Sequence, residues 1–194
     1  MDIRDAIIEI NGLFNLDLAD RIVNYINYIE LKPLGVGTTD KPNLEIRDVK
    51  GRFLIDYKNP NNMSDNVFLQ LIKNEIFKML PMYVAKYPKL LLDQLTQCDL
   101  LKYNVGGKYE VHVDSFINAR RELSCIINLN DEYEGGELGF YDASHTKEIL
   151  RCNLKKVGVI FFPITSFFTS NFIYPHKINP IKKGTRYSIV AWIA

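Results

Sequence analysis

The segment YEVHVD at residues 109–114 places a histidine and an aspartate two positions apart in a stretch that is predicted to form a β-strand. Successive side chains of a strand point to opposite faces, so His112 and Asp114 share one face. A neutral imidazole and a carboxylate on the same strand face can reach one metal ion. Alone the tripeptide is a weak signal, because His-x-Asp also occurs by chance, usually on protein surfaces.

Two residues near the end of the chain strengthen this signal. If His176 lies on a neighbouring strand, it would complete a 2-His-1-carboxylate set, which holds one face of a non-heme Fe(II) and leaves the other positions open. Arg186 follows ten residues later and could clamp a carboxylate in bidentate fashion. Three metal ligands and one fixed cation are what an iron enzyme with a keto-acid co-substrate requires. His145, the remaining histidine, lies in a polar turn and is interpreted as an exposed loop residue.

Length, charge and cysteine content indicate one globular domain without a nucleic-acid or membrane partner. The chain has 194 residues, of which 47% are hydrophobic, so it can form a core without disulfides. Its 24 basic and 23 acidic residues nearly cancel, which leaves no general footprint for nucleic acid or an anionic membrane. Cys98, Cys125 and Cys152 are expected to be free thiols of a reducing compartment. Neither a signal peptide nor a transmembrane stretch is predicted, so we expect a soluble cytoplasmic protein.

Two amphipathic helices are predicted to precede the strands. Residues 16–31 repeat apolar side chains at spacings of three and four, with Asn15 or Asp17 as the N-cap. A second helix with an apolar stripe is predicted to start at Ser64 or Asp65. Both are interpreted as helices that pack against the core and have no chemical role.

Short segments join these helices, and strands follow them. Residues 33–43 are predicted to be loop, residues 44–57 two short strands around Lys50-Gly51, and residues 59–62 a turn. From about residue 95 the predicted strands are LTQCDLLKY, YEVHVD, LSCIINLN, ELGFYD, VGVIFFPI, FIYPHKI and RYSIVAWI. Turns at residues 134–137, 142–145 and 182–185 are predicted to separate some of them. Helices before many short strands predict an α+β protein with a sandwich or barrel-like jelly roll.

The motifs from residue 103 onward resemble those of a known enzyme family. They are Tyr103-x-x-Gly106-x-x-Tyr109-x-x-His112-x-Asp114, Leu129-Asn130, Glu134-Gly135-Gly136-Glu137-Leu138, His176 and Gly184-x-Arg186-Tyr187-Ser188-x-x-x-Trp192. The combination resembles the prolyl 4-hydroxylase-like group of the Fe(II)/2-oxoglutarate-dependent dioxygenase superfamily. Lysyl hydroxylases and small-molecule hydroxylases look similar, so the motifs are more specific to the superfamily than to prolyl hydroxylases.

The resemblance implies a double-stranded β-helix, a relative of the jelly roll, over residues 95–194. Residues 1–94 would form a support region of helices and short strands, and residues 1–194 together one oxygenase domain. The resemblance also implies that His112, Asp114 and His176 hold Fe(II).

The co-substrate site follows from the same resemblance. Arg186 would bind the distal carboxylate of 2-oxoglutarate, and Tyr103 matches a tyrosine that helps to bind this co-substrate. Ser188, two residues after Arg186, could share its strand face and add a hydroxyl donor. Ascorbate is a further candidate cofactor. The consecutive glycines Gly135-Gly136 have a structural reading of their own, since glycine tolerates positive φ and allows a tight strand start.

The implied reaction is hydroxylation coupled to oxidative decarboxylation of 2-oxoglutarate to succinate and CO2. A prolyl residue in a peptide or protein is the leading substrate, and a free amino acid or another small molecule is the alternative. Outside the enzymes, the alternative is a non-catalytic metal- or ligand-binding β-module. The sequence does not indicate an oligomeric state.

Several segments are weighed as pocket or substrate contacts. Residues 33–43 and 59–64 could be mobile lids, and residues 115–121 could be either a substrate contact or a solvated loop. Tyr109 and Trp192 could line the pocket, although strand aromatics are more often core. The aromatic run from Phe161 to Phe172 could be core or an exposed pairing surface.

Overall fold

A computed structural model describes residues 3–36, 41–55, 62–88, 90, 92–114, 121–164 and 174–194. Within these residues the elements are, in chain order, a 3-10 turn (Ile3–Ala6), β1 (Ile8–Ile10), α1 (Leu16–Tyr28), β2 (Lys32–Pro33), β3 (Gly35–Val36), β4 (Lys41–Pro42), β5 (Arg47–Asp48), β6 (Lys50–Phe53), α2 (Met63–Lys86), β7 (Leu95–Tyr103), β8 (Lys108–His112), β9 (Leu123–Asn128), β10 (Tyr133–Gly135), β11 (Leu138–Tyr141), β12 (Glu148–Cys152), β13 (Val159–Pro163), β14 (His176–Ile178), β15 (Ile181–Gly184) and β16 (Arg186–Ile193). None of the helices in this part of the chain is long and apolar enough to cross a membrane.

Two sheets carry the fold. The larger has the strand order β1-β13-β9-β16-β7-β6-β2, and the smaller has the order β12-β11-β14-β8-β5. From β7 onward the chain alternates between them, because β7, β9, β13 and β16 lie in the larger sheet while β8, β11 with β12, and β14 lie in the smaller. This alternation is the double-stranded β-helix, so the predicted fold class is confirmed.

The register of the larger sheet determines which side chains face the interior. Residues paired across strands point to the same side. Arg186 pairs with Tyr103, and Ser188 pairs with Leu101. Trp192 pairs with Gln97 on one side and with Ser124 on the other. Alternation along β16 therefore points Arg186, Ser188 and Trp192 into the space between the sheets.

The helices cover the opposite face of the larger sheet. Tyr83 of α2 is fully buried, with its ring 6.0 Å from that of Phe161 on β13. Helix α1 packs against α2, where the rings of Tyr25 and Phe68 stack at 4.5 Å. Both helices thus pack against the core, as the sequence predicted.

The helix starts follow from capping. Asn15 accepts a hydrogen bond from the backbone N–H of Leu18, so one of the two predicted caps of α1 is confirmed. Helix α1 ends at Tyr28, three residues before the predicted end, because Lys32–Pro33 pairs with β6 as a strand. Helix α2 begins at Met63, slightly earlier than predicted, because Asn62 supplies the cap.

The loop predicted at residues 33–43 contains strand pairing. Its described residues contribute to β2 and form the pair β3–β4. The two strands predicted within residues 44–57 exist as β5 and β6, but the break falls at Val49 rather than at Lys50-Gly51. Gly51 lies inside β6, where the carbonyl oxygen of Leu100 would be 2.8 Å from an added Cβ. The glycine therefore permits close strand approach and does not form a turn. Of the turn predicted at residues 59–62, only Asn62 lies within the described residues.

Two segments that were predicted to be turns form a short ladder with each other. Tyr133–Gly135 (β10) pairs antiparallel with Ile181–Gly184 (β15). Most side chains of β15 are exposed and charged, so the segment lacks the apolar alternation that predicts a strand.

Candidate active site

His112 and His176 lie next to each other on paired strands of the smaller sheet. They are directly opposite in the register of β8 and β14. Asp114 follows two residues after His112, and one potential ligand atom from each of the three residues lies within 4.8 Å of the others. The Oδ1 atom of Asp114 is 3.7 Å from Nε2 of His112 and 3.6 Å from Nε2 of His176. Two imidazole nitrogens and one carboxylate oxygen around a common point are a donor set that suits Fe(II).

Hydrogen bonds orient both histidines for this arrangement. Nδ1 of His112 lies 2.8 Å from the backbone oxygen of Glu110, and Nδ1 of His176 lies 2.9 Å from that of Tyr174. Since a carbonyl oxygen only accepts, each Nδ1 carries the proton, and the Nε2 lone pair is free to bind a metal. Ser124 of β9 donates from Oγ to Oδ2 of Asp114 at 2.8 Å, which leaves Oδ1 directed at the histidines.

The electrostatics of the site favour the protonation states that a metal requires. Burial and, to a smaller extent, the neighbouring His176 lower the pKa of His112 to about 3, against the opposing effect of Asp114. Burial alone would raise the pKa of Asp114, but the two histidines and the hydroxyl of Ser124 bring it below its usual value. A neutral imidazole and an ionised carboxylate are the ligand forms of these side chains.

A buried cation lies deeper in the same cavity. The guanidinium of Arg186 is 2% exposed, lies 5.3 Å from the ring centre of Tyr103 and donates from Nη1 to Oγ of Ser188 at 3.1 Å. Its Nε has no hydrogen-bond partner among the described residues. A buried donor without an acceptor is costly, so this end of the cavity fits an anion such as a carboxylate.

Gly136 makes room for this arginine. Its φ is +69° and that of Gly135 is +82°, which confirms the structural interpretation of the two glycines. A Cβ on Gly136 would lie 3.0 Å from Cδ of Arg186 and 2.5 Å from Cδ1 of Ile181. Any larger residue would therefore displace the arginine or strain the backbone.

The outer part of the cavity is aromatic and polar. The ring of Tyr109 stacks on that of His112 with centroids 3.5 Å apart. The guanidinium of Arg121 lies 3.7 Å from the ring centre of Trp192 and donates from Nη1 to the backbone oxygen of Asp114 at 3.2 Å. It also donates from Nη2 to Oε1 of Gln97 at 2.7 Å. Arg121 thus links the backbone of Asp114 to Gln97 of the larger sheet.

The cavity has a volume of about 400 Å³ including its open mouth. All six residues that were predicted to bind metal or co-substrate line it. The lining consists of Arg47, Leu101, Tyr103, Tyr109, His112, Asp114, Ile126, His176, Ile178, Arg186, Ser188, Val190 and Trp192. Tyr109 and Trp192 both lie in this wall. Trp192 is also one of the buried core residues, and Tyr109 packs against the core, so both alternatives hold for these two side chains.

The other predicted contacts have mixed outcomes. His145 is exposed in a turn with φ of +63°, away from the metal cluster, as predicted. Phe161 and Phe162 are fully buried in the core. Residues 115–120 and 165–173 lie outside the described part of the chain.

Three contributors to the site had no place in the sequence predictions: Arg47, Gln97 and Ser124. The serine had a faint signal, as a polar residue inside the apolar strand LSCIIN. Arg47 had none, because it stands in a two-residue strand far from the motifs.

Comparison with known proteins gives the same family from sequence. A family model described as the 2OG-Fe(II) oxygenase superfamily matches residues 98–194, which contain the whole cluster. A PKHD-type hydroxylase of Pseudomonas fluorescens is 29% identical over 118 residues, covering 56% of this chain and 46% of that protein. A PKHD-type hydroxylase of Aliarcobacter butzleri is 33% identical over 102 residues, covering 47% of this chain and 40% of that protein. The chain thus spans less than half the length of these relatives.

Solved structures share the fold over nearly the whole chain. A prolyl hydroxylase from Trichoplax adhaerens, in complex with a hypoxia inducible factor oxygen degradation domain peptide, superposes with a TM-score of 0.74 at 16% identity, covering 97% of this chain and 83% of that one. A Pseudomonas putida prolyl-4-hydroxylase superposes with a TM-score of 0.68 at 19% identity, covering 98% and 96%. At these identities the superpositions show the architecture.

Proposed function

The chain belongs to the 2OG-Fe(II) oxygenase superfamily, and on that premise we propose that it is an Fe(II)- and 2-oxoglutarate-dependent dioxygenase that hydroxylates a prolyl residue of a peptide or protein. The reaction would convert 2-oxoglutarate to succinate and CO2. The observation that carries the proposal is the meeting of the metal cluster and the buried Arg186 in one cavity. The family implies both Fe(II) and 2-oxoglutarate. Residues 1–194 would act as one oxygenase domain.

The metal would be held by His112, Asp114 and His176. The donor chemistry fits, since each histidine presents an unprotonated Nε2 beside a carboxylate oxygen. When bound, iron with its co-substrate and dioxygen supplies the oxidation of a C–H bond, and the protein supplies placement. His112, Asp114 and His176 would supply three ligands and would leave room for the co-substrate and dioxygen.

Arg186 would fix the orientation of 2-oxoglutarate by binding its distal carboxylate. The unpartnered Nε supports this role, because a carboxylate would supply the missing acceptor. Tyr103 lies against the guanidinium, and Ser188 accepts a hydrogen bond from it, so the hydroxyl proton of Ser188 can point to the ligand. By binding the distal carboxylate, Arg186 would set which end of the co-substrate faces the three metal ligands, and such positioning contributes to the rate.

The prolyl substrate is supported by the names of the similar proteins. The sequence relatives are called PKHD-type hydroxylases, and the two solved structures compared above are called prolyl hydroxylases. We propose a proline-containing peptide or protein as the partner, a free amino acid or another small molecule as the alternative, and ascorbate as an additional cofactor that keeps the iron reduced.

The test is succinate formation from 2-oxoglutarate under air with Fe(II), with and without ascorbate, across a panel of proline-containing peptides. Each peptide is paired with a copy in which alanine replaces proline. The expected result is Fe(II)-dependent succinate formation that the proline peptide stimulates and the alanine copy does not, with a mass gain of one oxygen atom on the proline peptide.

Other outcomes separate the alternatives. Succinate formation that no peptide stimulates would keep the oxygenase and reject the peptide substrate. Stoichiometric iron binding without any turnover of 2-oxoglutarate would reject the enzyme and favour a metal-binding module.

A further inference from the structure

Three buried N–H donors in the described residues have no hydrogen-bond partner, and all three belong to side chains that line the metal cavity. They are Nε of Arg47, Nε of Arg186 and Nε1 of Trp192. In the proposed function, the carboxylate of 2-oxoglutarate is the acceptor that Nε of Arg186 lacks. The indole of Trp192 faces the carboxylate of Asp114, whose pKa it lowers. The donor on Arg47 has no such explanation.

Arg47 lies beside the metal ligands and not on a remote surface. It stands on β5, the edge strand of the smaller sheet, directly opposite Tyr109 on β8. Its guanidinium carbon lies 4.6 Å from the centre of the Tyr109 ring, whose other neighbour in the stack is the imidazole of His112. A group bound to Arg47 would therefore lie next to the metal site.

The hydrogen bonding of Arg47 leaves one edge of its guanidinium available. Nη1 donates to the backbone oxygen of Gly35 at 2.8 Å, and this is the one hydrogen bond that the guanidinium makes to the described residues. The remaining edge carries Nε and Nη2. Elsewhere in this chain the same edge binds a carboxylate, as Arg151 holds Glu148 with Nε at 2.6 Å and Nη2 at 3.0 Å.

A purely structural role does not account for this arrangement. Packing over Tyr109 would explain where the cation lies. It would not explain why Nε–H is buried without an acceptor, which costs free energy. Asp99 attracts Arg47 electrostatically when it is ionised, yet no carboxylate of the described residues lies within 4.0 Å of the Arg47 nitrogens. Arg47 is half-buried, and its charge and open Nε–Nη2 edge fit an external anion.

We propose that Arg47 binds a carboxylate of the substrate through its Nε–Nη2 edge. This inference rests on the proposed function, in which Arg186 is already occupied by 2-oxoglutarate. The substrate is then a prolyl compound with a carboxylate near the reacting ring. That carboxylate belongs either to proline itself, at a C-terminus or in the free amino acid, or to an acidic neighbouring residue.

The first experiment measures binding without turnover. Trp192 is the single tryptophan of the chain and lines the cavity, so its fluorescence reports occupancy. Anaerobic protein loaded with Fe(II) and saturating 2-oxoglutarate is titrated with two matched pairs. One pair is N-acetylglycylproline and its C-terminal amide. The other is N-acetylglutamylprolinamide and its glutaminyl counterpart.

The expected result is that the acid of at least one pair binds about tenfold more tightly than its neutral partner. The first pair identifies a carboxylate of proline itself, and the second an acidic neighbour. Arg47→Gln should abolish the preference. Arg47→Lys keeps the charge and the packing but lacks the Nε edge, so it should lose most of the preference even if the glutamine variant folds poorly. The matched control Arg21→Gln removes the same charge from an exposed position on α1 and should keep the preference.

Three results would overturn the proposal. The first is that in the wild type no acid binds more tightly than its neutral partner. The second is that the preference survives in Arg47→Gln. The third is that Arg47→Gln weakens acid and amide equally, which would identify a carbonyl rather than a carboxylate as the ligand.

Failure of the proposed function gives a different pattern. In that case the acid would bind in an Arg47-dependent manner, but admitting air would produce no succinate.

Discussion

Ser124 donates a 2.8 Å hydrogen bond to Oδ2 of Asp114, while Oδ1 of the same carboxylate lies between the two histidines. The hydroxyl fixes the carboxylate rotation and lowers the pKa of Asp114. We expect Ser124→Ala to weaken Fe(II) affinity on the order of tenfold, because partners of metal ligands typically contribute that much. Anaerobic titration with Fe(II) measures the change. The loss should be larger in more acidic buffer, since protons then compete better for the carboxylate.

The control for this variant is Ser188→Ala, which removes a buried hydroxyl at the other end of the same cavity. It should leave Fe(II) affinity near the wild-type value. Equal weakening of iron binding in both serine variants would show that the effect is a general loosening of the cavity.

The metal cluster makes a sharper prediction for activity. His112→Ala or Asp114→Ala should abolish Fe(II)-dependent succinate formation, because each removes one of three ligand atoms that lie within 4.8 Å of one another. His145→Ala is the matched control, since this histidine is exposed in a turn and should be dispensable. Near-normal turnover in either cluster variant would reject the assignment of the metal ligands.

Arg186→Ala should raise the 2-oxoglutarate concentration for half-maximal turnover by roughly a hundredfold, because a buried charge-assisted pair is lost. Iron affinity should change far less, since the guanidinium donates to Ser188 and not to a metal ligand. Arg186→Lys should recover part of the loss, because it restores the charge without the planar fork. An unchanged co-substrate requirement in Arg186→Ala would exclude the role.

The residues that the sequence proposed for this site lie in one cavity, and part of the reason is that strand geometry is periodic. Alternation put His112 and Asp114 on one face, and it put Arg186 and Ser188 on another. These two pairs of residues come together because successive strands alternate between the two sheets. The family resemblance predicted this alternation, and the periodicity of single strands could not predict it.

The N-terminal contribution to the site was beyond sequence reasoning. Arg47 reaches the cavity because a two-residue strand pairs with β8 at the sheet edge. Such a strand is too short to show a period, and its pairing is a long-range contact without a local signal. The β10–β15 ladder was missed for a related reason, since its exposed lysines follow no apolar pattern.

Asp99 gives a prediction for stability against pH. It is 1% exposed on β7, and burial raises its pKa to about 7, against the opposing effects of Arg47 and Gln97. The unfolded chain ionises this carboxyl near 3.8, so between that pH and about 7 the native state binds more protons than the unfolded state. The stability that Asp99 contributes is therefore fully present below pH 3.8, the unfolded pKa, and is lost as pH rises through about 7, the folded pKa.

The side chain of Asp99→Asn cannot titrate. The unfolding free energy of the wild type should therefore fall relative to that of the variant as pH rises from about 4 to about 7. The fall should be on the order of 2–4 kcal/mol and should level off above neutral pH. Urea unfolding of both proteins at several pH values in this range measures the difference in unfolding free energy. The measurement is made without metal, so that metal binding at Asp114 does not contribute to it. A difference that stays constant with pH would mean that Asp99 is ionised in the folded protein throughout, held by the arginines and Gln97 around it.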